Sequence, residues 1–159
     1  ELMELFIRFA LIVLIAGYTY LINLQKVALE AQSERFLNAI SVVLNADRDL
    51  YQAKVAELNL VTNKQGDTEE LQSHSENAQQ VADRFNQYLS YLSVYPEITA
   101  SFNNFDTAFS RWLSASEAFI NAPQNKSLRQ AADSEFNAFI SYAFKSIPIA
   151  NCSYLLRML

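Results

Sequence analysis

Glycine occurs only twice and proline three times in these 159 residues, and cysteine, histidine and tryptophan occur once each. Each scarcity excludes something. A strand-rich fold needs a turn residue every few positions, and this chain has almost none to offer. The single Cys152 rules out an internal disulfide, a CxxC redox pair and a cysteine zinc site, and the single His74 removes most imidazole metal sites. No glycine-rich phosphate loop is present, no nucleophile and base recur at useful spacing, and the duplicated Glu-x-x-His pattern of di-iron bundles is missing. No catalytic residue, metal or cofactor is therefore expected. Basic residues are also few, 12 Lys and Arg against 17 Asp and Glu, for a formal charge of −5 and a pI near 4.8. They are scattered rather than clustered, which excludes nucleic acid as a partner.

What remains is rich in Ala, Leu, Gln, Asn, Ser and Phe, a helix-forming composition with little alternation of Val, Ile and Thr. The length suits one domain plus an anchor. The anchor is residues 5–24, LFIRFALIVLIAGYTYLINL, interrupted by one charge. At about 1.5 Å per residue such a helix crosses a hydrocarbon core of about 30 Å. Arg8 lies one turn inside one end, where its stem can reach the headgroups, and Tyr18 and Tyr20 near the other suit an interfacial aromatic belt. A cleaved signal peptide is the rival reading, but no small-x-small cleavage site follows and the helical patterning continues. A buried soluble helix is the third reading.

Three breakers divide the rest: Gly66-Asp67, Tyr95-Pro96 and Asn121-Ala122-Pro123. They predict helices over about 25–63, 68–94, 97–121 and 127–150. Asp67 or Thr68 can cap the second helix, Pro96 fits the first turn of the third, and Ser127 is a candidate cap for the fourth. Each segment shows the alternating four and three spacing of packed helices. In the second it runs Leu71, His74, Ala78, Val81, Phe85, Tyr88, Leu92 and Tyr95. In the third it runs Ile98, Phe102, Phe105, Phe109, Trp112, Ser116 and Phe119. The fourth offers Leu128, Ala132, Phe136, Phe139, Ile140, Ala143 and Ile147. In the first, the seam includes Phe36, Leu37, Ile40, Val43, Leu44, Leu50, Tyr51, Val55 and Leu58. Such spacing with short connections predicts an all-α, antiparallel up-down-up-down four-helix bundle over residues 25–150, its first helix continuous with the membrane helix. The aromatic stripe is expected to be core.

Within the first helix, NADRDLYQA at residues 45–53 sets three consecutive charges against that seam. Asp47 falls where the next apolar residue belongs, and Arg48 flanks the seam. Folding the chain about residues 65–66 brings Asp47 level with Arg84 and Arg48 level with Asp83. These pairs read either as ion pairs that fix register or as part of a ligand site. In the second reading Arg48, a rigid fork of donors, receives a carboxylate, with Tyr51, Asp47 and Arg84 completing the pocket. His74 occupies a seam position in the first turn of its helix. A pH response and a half-exposed end residue are its two readings.

A membrane helix, a long unbroken helix carrying ADRDLYQA and three shorter helices together resemble the N-terminal part of a bacterial methyl-accepting chemotaxis protein. The resemblance implies a periplasmic four-helix-bundle sensor anchored in the inner membrane and a homodimer formed through the first and fourth helices. It also implies a small ligand such as an amino or organic acid, and a signal relayed by helix displacement. Family receptors for amino acids use arginines of the first helix and an early hydroxyl of the fourth. Arg48 matches the former, Arg35 lies nearer the membrane, and the fourth helix opens with Lys126, Ser127 and Leu128, without threonine. Residues 151–159, NCSYLLRML, leave the polar and apolar rhythm and read as a membrane approach or a fragment end. The input domain of a sensor histidine kinase and a membrane-tethered structural bundle without a ligand are the alternatives.

Overall fold

The scarcity of breakers is realised as helix almost throughout. The computed structural model describes residues 1–62 and 67–144, and no strand occurs among them. The elements are α1 (Leu2–Thr62), α2 (Thr68–Tyr91), a short α3 (Pro96–Thr99) running into a 3-10 turn (Ala100–Phe102), α4 (Phe105–Asn121) and α5 (Lys126–Ala143). The expectations placed on residues 63–66 and 145–159, including Ile147 and the NCSYLLRML ending, lie outside the described residues. The chain divides into two units, Glu1–Leu37 and Asn38–Leu159.

In the first unit most side chains are exposed. Every residue from 5 to 24 is exposed except Ala10, which is half-covered. This part of α1 is long and apolar enough to cross a membrane. The Thr19 hydroxyl donates to the Ile15 carbonyl at 2.8 Å, so even this polar group is satisfied within its own helix.

In the second unit, α2 and α4 bury the stripes that their spacing predicts. His74, Ala78, Val81, Phe85, Tyr88 and Leu92 are buried from the second segment, and Ile98, Phe102, Phe105, Trp112, Ser116 and Phe119 from the third. Leu71 is exposed, while Tyr95 and Phe109 are half-buried. The Phe85 ring stacks on Phe105 at a centroid distance of 4.0 Å, and Trp112 stacks on Phe139 at 5.5 Å. Burial of each such side chain is worth about 1.5–3 kcal/mol, and each ring pair adds about 0.5–1.5 kcal/mol. Ala132, Phe136, Phe139 and Ala143 of α5 close the core.

Three local expectations change. The third segment is interrupted at Asn103 and Asn104, whose short polar side chains compete with helical hydrogen bonding. The Asn104 amide donates to the Tyr142 hydroxyl at 3.1 Å, which ties this break to α5. The cap of α5 is Asn125 rather than Ser127: its side chain accepts from the Ser127 and Leu128 amides at 3.0 and 3.3 Å. Asn125 holds the extended backbone that a cap requires, whereas Ser127 is already inside the helix. Asp67 caps α2, accepting from the Glu69 and Glu70 amides at 2.9 and 3.3 Å.

The third change is in α1. Leu37, Leu44, Tyr51, Val55 and Leu58, expected in its seam, are 41–64% exposed. The buried set is Ala39, Val43, Ala46, Asp49, Leu50, Ala53, Ala56, Glu57 and Leu60. Within it Ala39, Val43, Ala46, Leu50, Ala53, Glu57 and Leu60 keep an unbroken four and three alternation, with alanine at every other place as far as Ala53. Val43 and Leu50 are buried while their neighbours Leu44 and Tyr51 face outward, about 100° further round the helix.

Candidate functional site: a ligand cleft and a buried charge network

Asp47 and Asp49 stand two residues apart, so they project to nearly opposite flanks of α1. It is Asp49, fully buried, that meets α2. Arg84 Nη1 lies 2.7 Å from Asp49 Oδ2, and Arg48 Nη2 and Nε reach Asp49 Oδ1 at 3.0 and 3.2 Å. One buried carboxylate thus carries two guanidinium groups, one on each oxygen. The expected pairing of Asp47 with Arg84 is replaced by this one. The expected partner of Arg48, Asp83, accepts instead from Gln79 of its own helix at 2.9 Å. Asp47 is half-buried, and burial raises its carboxyl above the ordinary value.

Beside Arg48 opens a cleft of about 630 Å³ between α1 and α2, lined by Arg48, Tyr51, Gln52, Val55, Ala56, Glu70, Ser73 and Asn77. Two of the four residues singled out in the sequence, Arg48 and Tyr51, line it. Asp47 and Arg84 do not. The Arg48 side chain is 55% exposed even while bonded to Asp49, so it can be approached from the cleft. Asn77 Nδ2 donates to the Ser73 carbonyl at 2.8 Å, which leaves the Asn77 amide oxygen as an acceptor on the α2 wall. Glu70 accepts from Asn59 Nδ2 at 3.1 Å and forms the acidic end. The cleft therefore offers a fixed cation, amide groups, a phenol and a carboxylate along one wall each of α1 and α2.

Behind that cleft, on the core side of the same turns, runs a second polar array. His74 Nε2 lies 2.8 Å from Ser116 Oγ, and Ser116 donates to Glu57 Oε2 at 2.6 Å. Lys54 Nζ donates to Glu57 Oε1 at 2.6 Å and to Asp133 Oδ1 at 2.8 Å. The array draws one or two residues from each of α1, α2, α4 and α5. Because Ser116 spends its only proton on Glu57, its oxygen accepts from His74, which fixes the neutral imidazole as the Nε2–H tautomer. His74 is only 4% exposed, which corrects the half-exposed reading: its turn of α2 is covered by α4. Lys54 also lies over the Phe136 ring, 5.3 Å from its centroid.

The sequence reading missed Lys54, Glu57 and Asp133. Glu57 follows Leu50 at the same heptad position, but a carboxylate there reads as solvated until the alanine seam is recognised. Ser116 and His74 were legible as seam positions, although not as partners. No family model matches the chain, and no curated protein or solved structure matches it either. The functional reading therefore rests on these side chains.

Proposed function

We propose that the chain is the ligand-binding, extracytoplasmic part of a bacterial transmembrane chemotaxis receptor of the methyl-accepting type, with its bundle in the periplasm and its anchor in the inner membrane. The observation that carries this reading is that one helix, α1, holds both the membrane-length apolar stretch and the Arg48–Tyr51 wall of the cleft. A small molecule settling in the cleft would act on α1 directly, and displacement of that helix is the means of relay.

The up-down-up-down arrangement is supported by the partners of each helix. Tyr51 meets Phe136 while Lys54 meets Asp133, so α5 runs against α1. His74 meets Ser116 while Phe85 meets Phe105, so α4 runs against α2. A homodimer is supported by the outward stripe of α1: Leu44, Tyr51 and Leu58 at heptad intervals, with Val55 between, are 41–63% exposed. A second copy laid parallel along this stripe would cover it as a coiled-coil seam and would put the cleft, which shares Tyr51 and Val55 with the stripe, at the dimer interface.

Arg48 is the residue assigned to the ligand, an amino or organic acid that presents a carboxylate. Asp49 keeps Arg84 on its other oxygen, so Arg48 can turn to a ligand without stranding a buried charge. The test is a thermal-shift screen of the full chain in nanodiscs against amino acids, organic acids and amines, with and without Arg48→Ala. A carboxylate present at 100 times its dissociation constant stabilises by about 2.7 kcal/mol, and that gain should vanish in the variant. The Arg48 to Asp49 bond also favours a second reading, a membrane-tethered structural bundle in which these charges only fix register. Absence of stabilisation by every class, in a folded protein, selects that one.

A further inference from the structure

We infer that His74, Ser116 and Glu57 form a proton-operated latch, so that acidification alone loosens α2 and α4 from α1 and the second unit responds to pH as well as to any occupant of the cleft. The geometry supplies each part. The latch joins three helices through two short hydrogen bonds, at 2.8 and 2.6 Å, in a place where none of its three members is more than 4% exposed. Its only titrating group near neutral pH is the one imidazole of the chain.

The charges facing His74 can be named from each side. Glu57 and Lys54 approach from α1, and Glu117 from α4. Asp133 of α5 bears on it through Lys54, and Glu70 lies one turn earlier on α2, where it accepts from Asn59. Burial pushes the imidazole below its ordinary value of 6.5, while the carboxylates of Glu57 and Glu117 pull the other way. Once His74 takes a second proton, Nε2–H still meets Ser116, but a full positive charge now stands at a site only 4% exposed, with the Lys54 ammonium nearby. Opening of the helix pair returns that charge to water.

The sign follows from the lowered value. Between the folded value and 6.5 the unfolded chain binds the proton and the folded chain does not. Stability is therefore full above that range and falls as pH falls through it.

The sole histidine and the sole tryptophan make the test clean, because Trp112 sits one turn from Ser116 on α4. The full chain in nanodiscs would be titrated by following the His74 ring signal by NMR and the Trp112 emission in parallel. The expected result is a His74 midpoint below 6.5, a Trp112 red shift with the same midpoint, and loss of that shift in His74→Gln, whose side-chain amide can still donate to Ser116. Ser116→Ala keeps the histidine and should move both midpoints together, which decides the matter if His74→Gln does not fold. A His74 midpoint at or above 6.5, a Trp112 emission that ignores His74 protonation, or a shift that survives in His74→Gln overturns the latch. None of these readouts requires a ligand, so a failed ligand screen leaves the result standing, and the reverse also holds.

Discussion

Replacing Glu57 with leucine should cost the second unit about 3 kcal/mol, and adding Lys54→Met should restore most of that loss. Glu57 is 1% exposed and accepts from both Lys54 and Ser116 at 2.6 Å. Charge-assisted hydrogen bonds are worth about 1.5–3 kcal/mol each, and leucine fills the volume but replaces neither. Two groups are then left behind: the Ser116 hydroxyl, which can donate only to His74 Nε2 and only if the imidazole changes tautomer, and Lys54, 12% exposed, with only Asp133 to balance it. That remaining partner places the cost at the lower end of the range of about 3–5 kcal/mol for a broken buried pair. In the double variant no cation is stranded, and Asp133, 49% exposed, turns to water. What persists is the loss of the Ser116 to Glu57 hydrogen bond, about 1 kcal/mol. For a unit of this size, about 4 °C in Tm corresponds to 1 kcal/mol, so drops of about 12 and about 4 °C are expected for the single and double variants. Thermal melts followed by far-UV circular dichroism, with a double-mutant cycle, measure both. If Glu57→Leu costs no more than the double variant, the pair is screened by solvent and the reasoning about its burial fails.

Two further outcomes follow from the packing and the caps. Trp112→Ala should lose about 3–5 kcal/mol by emptying a fully buried site, and Phe109→Ala clearly less because Phe109 is only half-buried; equal melts for the two would contradict the ring packing on α4. Asn125→Ala should cost about 1 kcal/mol while Ser127→Ala stays within about 0.5 kcal/mol, and the reverse order in urea melts would return the cap of α5 to Ser127.

The contrast among helices explains what the sequence revealed. In the second and third segments most core residues are bulky and the intervening ones polar, so spacing alone picks out His74 through Leu92 and Ile98 through Phe119. In α1 alanine takes every other place along much of the inward face, between Val43 and Leu50, which weakens the signal, and the bulky Leu44, Tyr51 and Leu58 form an outward stripe one residue out of phase. The larger side chains drew the expectation to the wrong side. The candidate site shows the same division. Arg48 and Tyr51 were visible because charge and aromatic character interrupt an apolar run. The Asp49 hub was not visible, because three neighbouring charges differ only in the direction they point. The buried array was not visible because its members are separated by tens of residues and meet only after folding.

The alanine seam has a mechanical consequence. Phe85, Tyr88, Phe102, Phe105, Trp112 and Phe139 interlock among α2, the 3-10 turn, α4 and α5, and a wedged set of rings resists shear. Opposite them, α1 alternates Ala39, Ala46 and Ala53 with Val43, Leu50 and Leu60, a shallower relief that interlocks less deeply than rings do. On that face the polar contacts at Asp49, Lys54 and Glu57 tie α1 to α2, α5 and α4. Chemistry at those three side chains therefore acts on a buried helix face that carries no aromatic ring.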